Sequence, residues 1–79
     1  MSDEVIFQSP MMYRLLRESG GGLVIEVVVG GIAMSAVRVR LDAEEALAYE
    51  REGSRFSDRL ASAITADPRF DGRAYPAPD

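Results

Sequence analysis

The 79-residue chain contains no histidine, lysine, cysteine, tryptophan or asparagine. Without histidine it lacks the side chain that most often acts as a general base near neutral pH. Without lysine it can form neither a Schiff base nor the phosphate loop of a nucleotide-binding protein. Without cysteine it has no disulfide, thiolate metal ligand or thiol nucleophile. We therefore expect a protein that is not an enzyme and that holds no metal or cofactor.

The charge balance is negative. Nine basic residues, all arginine, face thirteen acidic ones, which gives a net charge of −4. Such a surface repels a phosphate backbone and an anionic membrane, so it argues against both as partners. Asp3 and Glu4 stand where a signal peptide needs positive charge, and no apolar run approaches the roughly 20 residues of a membrane span. We expect a cytoplasmic protein, and arginine without lysine is typical of a GC-rich bacterial or phage genome.

Residues 11–18 are compatible with a strand or with a helix. Met, Leu, Arg and Glu are good helix formers, and Pro10 could begin a helix. However, three consecutive glycines follow almost at once and precede a strongly apolar segment, which is typical of a hairpin loop. We favour a strand, and we interpret residues 1–9 as a short lead segment.

Two further strands are predicted at residues 23–29 and 33–41, on either side of a Gly-Gly pair. A one-residue change of register would exchange the two faces of a strand. A three-residue loop at residues 30–32 keeps Arg38 and Arg40 off the apolar face, whereas a two-residue turn does not. We therefore predict the three-residue loop, which pairs valine 27 with serine 35 and isoleucine 25 with valine 37.

Glu26 is the only charged residue within the apolar segment 23–29. The first hairpin also keeps its apolar residues on one face if its loop lies at residues 18–22. In that register Arg14 lies opposite Glu26, and Arg38 lies diagonal to Glu26. Opposite charges at neighbouring cross-strand positions stabilise a sheet, although weakly where they are exposed. The sequence thus predicts an ion cluster around Glu26.

Residues 42–66 predict one long helix. Asp42 and Glu45 have the spacing of a capping box, and Pro68 ends the helix. The apolar positions keep one phase across Gly53, so we interpret this glycine as a close-packing point against the sheet. The alternative is a break at Gly53, with Ser54 as a new N-cap.

The predicted fold is a single α+β domain over residues 1–79. Its core, residues 10–66, is a three-stranded antiparallel meander of order 1-2-3 packed on one long C-terminal helix (β-β-β-α). Residues 67–79 contain three of the four prolines and predict a loop followed by a largely disordered tail. Phe70 is expected to fold back onto the end of the helix.

One helix can cover only one face of such a sheet, so the other face is predicted to be exposed. Apolar side chains ringed by arginines are typical of a protein interface. The alternative is that residues 5–7 or the tail fold over this face. The expected interface residues are Met12, Arg14, Leu16, Val24, Glu26, Val28, Met34, Arg38 and Arg40.

A secondary surface is predicted on the helix, where Arg51, Arg55 and Arg59 recur every four residues. Glu52 and Asp58 lie within helical reach of Arg55 and neutralise part of this ridge. The simpler interpretation is a solvated helix face, and the sharper one is a contact with an acidic protein.

The function that follows is that of a small protein-interaction module. We expect a homodimer, joined through the open sheet face or the edge of the third strand, that acts on another protein as an adaptor, inhibitor or regulatory subunit. The alternative is a sheet that binds single-stranded nucleic acid through Arg14, Arg38 and Arg40, with Tyr13 available for base stacking. Negative net charge and few aromatic residues weigh against that alternative.

Overall fold

The computed structural model describes residues 4–10, 12–29 and 35–77. The strands form one antiparallel sheet in the order β1-β2-β3-β4-β5, so each strand lies beside its neighbour in sequence. The elements are β1 (Glu4–Ser9), β2 (Tyr13–Arg17), β3 (Leu23–Val29), β4 (Ser35–Arg40), α1 (Ala43–Glu52), α2 (Ser54–Ala66) and β5 (Tyr75–Pro76). Neither helix among the described residues is both long and apolar enough to cross a membrane.

The predicted three-stranded meander on one long helix is therefore wrong. The three predicted strands occur as β2, β3 and β4, which settles residues 13–17 as a strand, but they form only the middle of a five-stranded sheet. The predicted lead segment supplies β1, and the predicted tail supplies β5. The predicted helix is divided into α1 and α2.

Strand β1 was missed because its alternation is broken. The register with β2 shifts between Val5 and Phe7, which marks a bulge at Ile6. A bulge places an extra residue in one strand, so apolar residues at adjacent positions can serve the same side of a sheet. Both Ile6 and Phe7 pack against the core, and the Phe7 ring centroid lies 6.1 Å from that of Tyr13.

The predicted register places the side chains on the correct faces of the sheet, but it pairs β3 and β4 with an offset of two residues. Arg14 pairs with Glu26 as predicted. In the next hairpin Val27 pairs with Val37, not with serine 35, and Glu26 lies directly opposite Arg38, not diagonal to it. A shift of two residues leaves every side chain on its predicted face. The predicted loop at residues 30–32 lies outside the described residues.

The core lies between α2 and the face of the sheet that carries the odd-numbered residues of β2 and β3. Half-buried side chains from the helices and the C-terminal segment, among them Tyr49, Phe56 and the predicted Phe70, pack against it. Its buried members are Tyr13, Leu15, Ile25, Val27, Val29, Val39, Leu60, Ala61 and Ile64. One apolar sheet face covered by one helix thus makes up the hydrophobic core.

Gly53 separates the helices because its backbone, at φ 64° and ψ −138°, has a conformation that suits glycine. The capping box of Asp42 and Glu45 at the start of α1 is confirmed, and α2 ends at Ala66, before Pro68, as expected. Ser54 does not act as a new N-cap, since Gly53 holds that position without a side-chain bond. The break gives α2 a buried face of its own, while α1 has no buried residue.

Candidate functional site

A row of hydrogen-bonding side chains crosses the sheet on the face opposite α2. Directly paired residues on neighbouring strands point to the same side of a sheet, so the pairing places them in line. The row contains one residue from each strand: Gln8, Arg14, Glu26, Arg38 and Tyr75. We call these five residues the polar row.

Glu26 is the centre of the polar row and holds two guanidinium groups. Nε of Arg14 donates to one carboxylate oxygen and Nε of Arg38 to the other, each at 2.8 Å. The Glu26 side chain is 13% exposed and that of Arg38 10%, whereas that of Arg14 is 39% exposed. The predicted ion cluster is confirmed, and one carboxylate binds two guanidinium groups.

The pKa of Glu26 reflects two opposed influences. Desolvation by burial is the largest and raises the pKa, whereas the hydrogen bonds and positive charges of Arg14 and Arg38 lower it. The arginines together prevail, so the pKa of Glu26 lies below its ordinary value of 4.5. The carboxylate is therefore ionised at neutral pH and keeps both guanidinium groups in place.

Leu16 and Val24 lie beside the polar row and are 2% and 0% exposed. The expectation that these two residues form an exposed apolar patch is therefore wrong. Val24 is paired directly with Leu16 on one side and Arg40 on the other, and long arginine side chains cover apolar surface with their methylene groups. Residues 5–7 do not fold over this face, because they extend the edge of the sheet as part of β1.

On the other side of the polar row, apolar surface is accessible. Met12 is 52% exposed, and Val28 is half-buried. Together with Gln8, Arg14 and other residues they line a shallow groove of about 230 Å³. Met34, the remaining apolar residue of the predicted interface, lies outside the described residues. The groove sets an apolar side chain beside the more exposed of the two arginines that Glu26 holds.

Arg40 adds a third guanidinium group to this face. It lies 4.9 Å from the centroid of the Tyr75 ring, and its Nε donates to Glu18 at 3.2 Å. Three arginines thus share the face with Glu18 and Glu26, in a chain whose net charge is −4. Arginines thus outnumber glutamates among the described residues of the outer sheet face.

The predicted arginine ridge is divided by the break in the helix. Arg51 belongs to α1, whereas Arg55 and Arg59 belong to α2, and all three are exposed. The Arg59 guanidinium donates to Glu52 at 2.7 Å and lies 6.0 Å from the Phe56 ring centroid. The three residues therefore do not form a ridge on one continuous helix.

A cluster that the sequence did not reveal links β2 to α2. The Tyr13 hydroxyl donates to Asp58 at 2.5 Å and lies 2.7 Å from the Ser57 hydroxyl, whose one proton can go either to the Tyr13 oxygen or to the carbonyl oxygen of Ser54. Burial, followed by the hydrogen bond to Asp58, raises the pKa of Tyr13 above 10.0, so the phenol stays protonated. A protonated phenol gives Ser57 no base to activate it.

Tyr13 also bears on the nucleic-acid alternative. Its side chain is buried on the helix-covered face of the sheet, so the expectation that it could stack on a base is wrong. Sequence alternation places Tyr13 on the apolar face of the sheet. It does not identify Ser57 and Asp58 on α2 as the partners of the Tyr13 hydroxyl. Tyr75, in the polar row, is the aromatic ring that shares a face with the arginines.

Acidic side chains in the described part of the chain form no group of three or more that could hold a metal ion. Comparison with known proteins finds no matching family model, no similar curated protein and no similar solved structure. The functional interpretation therefore depends on the geometry of the outer sheet face.

Proposed function

We propose that this protein is a small non-enzymatic interaction module, whose outer sheet face binds a carboxylate-bearing segment of another protein. The observation that carries the proposal is the Glu26 carboxylate with a guanidinium group on each oxygen. A module of this kind fits the role of an adaptor, an inhibitor or a regulatory subunit.

Arg14 is the residue best placed to contact the partner. Its Nε is bonded to Glu26, which fixes the plane of a group that carries further donors on its terminal nitrogens. A guanidinium fork matches a carboxylate, and a group that is already held in position loses less entropy on binding. Exposed Met12, in the same groove, supplies an adaptable apolar contact.

The charge of the outer face favours a different protein over a second copy at this surface. Two copies joined face to face would bring together two surfaces on each of which the described residues include three arginines and two glutamates. Like charges across an interface disfavour association. A nucleic acid would meet the same arginines, but with one charge on every phosphate it would meet more repulsion from a chain with a net charge of −4 than a segment with few carboxylates does.

A titration with matched peptides tests this proposal. One extended peptide alternates glutamate with leucine, and its control alternates glutamine with leucine; binding is followed by amide NMR shifts of the full chain. We expect the acidic peptide, but not its glutamine control, to shift the amide NMR signals of β2 and β3. Arg14→Gln should weaken binding about tenfold, the amount expected for one charge-assisted hydrogen bond, and Arg55→Gln should have no effect.

Two results would overturn the proposal. One is that the two peptides bind equally well or that neither peptide binds. The other is tighter binding of single-stranded oligothymidylate than of the acidic peptide at the same salt concentration, which would favour the nucleic-acid alternative.

A further inference from the structure

Helix α1 carries a second surface on the side that faces away from the sheet. At 3.6 residues per turn, Glu44, Leu47, Ala48 and Arg51 share one stripe of the helix, which we call the α1 patch. Tyr49, on the opposite stripe, packs against the core. Leu47 is 56% exposed, the largest exposed fraction among the described large apolar side chains.

The α1 patch borders an apolar groove. Leu47 and Ala48 from α1 and Phe56 from α2 line this open depression of about 540 Å³, which is flanked by Glu44 and Arg51. The groove lies where α1 and α2 meet, on either side of Gly53. A groove between two helices with an apolar floor suits a side chain from a third helix.

The two charges of the α1 patch have no partner among the residues that the structure describes. Glu44 and Arg51 are both exposed and take part in none of the ion pairs of this region. By contrast, their neighbours are paired: Glu45 binds Arg73 at 2.6 Å, and the Glu52 carboxylate is held by α2. The patch therefore presents one free carboxylate and one free guanidinium group around an apolar centre.

The spacing of the α1 patch makes it complementary to itself. Glu44 and Arg51 lie about 10.5 Å apart along the helix axis, with Leu47 and Ala48 midway between them. A two-fold axis through this midpoint, with two α1 helices antiparallel, sets Glu44 of each copy beside Arg51 of the other. It also brings Leu47 of each copy to the groove of the other. A two-fold dimer needs such a self-complementary surface.

We propose that the α1 patch binds a second copy of this chain, giving a two-fold dimer held by two Glu44–Arg51 ion pairs around two Leu47 side chains. This proposal does not rest on the proposed function, because the α1 patch and the polar row are separate surfaces. The dimer leaves both outer sheet faces free. Two copies would thus present two carboxylate-binding faces, which raises the avidity for a partner with two acidic segments.

The dimer should be weak. A contact through two turns of helix is smaller than the roughly 800 Å² per partner of a standard interface, and exposed ion pairs add little each. Each copy has a net charge of −4, so repulsion between copies grows as salt is removed. The dimer is therefore best measured at physiological ionic strength and at high micromolar to millimolar protein concentration.

Charge reversal provides the test, with sedimentation equilibrium of the full chain as the measurement. Glu44→Arg alone puts four arginines at the interface, and Arg51→Glu alone puts four glutamates there. Each should weaken the dimer at least tenfold, because like charges replace attractive pairs. An equimolar mixture of the two variants should dimerise as well as the original chain, since each interface position again has an opposite charge.

Matched controls exclude a general effect of charge or folding. Glu50→Arg and Arg55→Glu make the same charge changes outside the α1 patch and should leave the dimer unchanged. Leu47→Ser should abolish it, while Glu44→Arg should still bind the acidic peptide, which separates this proposal from the proposed function. Two results would overturn the proposal. One is a chain that stays monomeric at about 1 mM, a concentration at which even a weak dimer forms. The other is a mixture of the two charge-reversed variants that fails to dimerise.

Discussion

Glu26→Gln tests the polar row directly, because it removes one charge and almost no volume. Arg38, which loses its bond to the Glu26 carboxylate, is largely buried, and hydrogen bonds to a charged group contribute about 1.5–3 kcal/mol. Arg14 is 39% exposed, so solvent screens its pair with Glu26 to less than about 1 kcal/mol. We therefore expect Glu26→Gln to lower the free energy of unfolding by about 2 kcal/mol.

Urea denaturation followed by circular dichroism measures this loss, and Glu18→Gln is the matched control. Glu18 binds the exposed Arg40 at 3.2 Å, so its replacement should cost less than about 1 kcal/mol. Double-mutant cycles with Arg14→Gln and Arg38→Gln separate the two pairs. A coupling of Glu26 to Arg14 that equals or exceeds its coupling to Arg38, or an equal loss of stability in the control, would contradict the ranking of the two pairs by burial.

The same variant gives a pH test. Because the folded-state pKa of Glu26 lies below 4.5, its ionised form stabilises the folded state at higher pH. That contribution is complete above the unfolded-state value and is lost as the pH falls through the lower folded-state pKa. The stability difference between the original chain and Glu26→Gln should therefore shrink as the pH falls below 4.5. A difference that grows in acid would contradict this sign.

Three further substitutions test the links between elements. Tyr13→Phe removes a hydroxyl that is bonded to buried Ser57 and half-buried Asp58, and it should cost about 1–3 kcal/mol in urea denaturation, whereas Tyr49→Phe should cost almost nothing. Gly53→Ala forces a side chain into the φ 64°, ψ −138° conformation and should cost about 1–3 kcal/mol. Gly20 has no such conformation and has open space for a Cβ, so Gly20→Ala should not destabilise the fold. Equal effects of the two substitutions would exclude backbone strain as the cause. Arg73→Lys keeps the charge but loses the forked pair with α1 and should lower the melting temperature by a few degrees; an unchanged melting temperature would show that the fork contributes nothing.

Features set by alternation or by local chemistry could be predicted from the sequence. The faces of β3 and β4 follow from keeping Arg38 and Arg40 off the apolar side, and this choice holds even though the pairing is offset by two residues. The capping box at Asp42 depends on four consecutive residues and needs no tertiary context. The ion cluster at Glu26 follows from the same facing rule.

Features that depend on a departure from regular periodicity could not be predicted. The bulge at Ile6 hides β1, because it breaks the alternation on which strand prediction depends. The apolar positions keep one helical phase across Gly53, so the pattern does not indicate the break. The face that α2 buries nevertheless includes Ser57 and Ile64. Val24, paired with Leu16 and Arg40, is fully buried on a face that a binary apolar and polar pattern predicts to be exposed.

The lack of buried residues in α1 affects how the molecule opens. Its capping box, the Arg73 pair and the half-buried Tyr49 hold α1, whereas β3 lies at the centre of the sheet with a buried core face. Segments with few buried contacts exchange their amide hydrogens through local opening, at a lower free energy than global unfolding. In the proposed dimer this opening competes with association, so amide exchange in α1 should slow as protein concentration rises. If α1 joins two copies, the helix with no buried residue is the part of the fold whose order depends on how much protein is present.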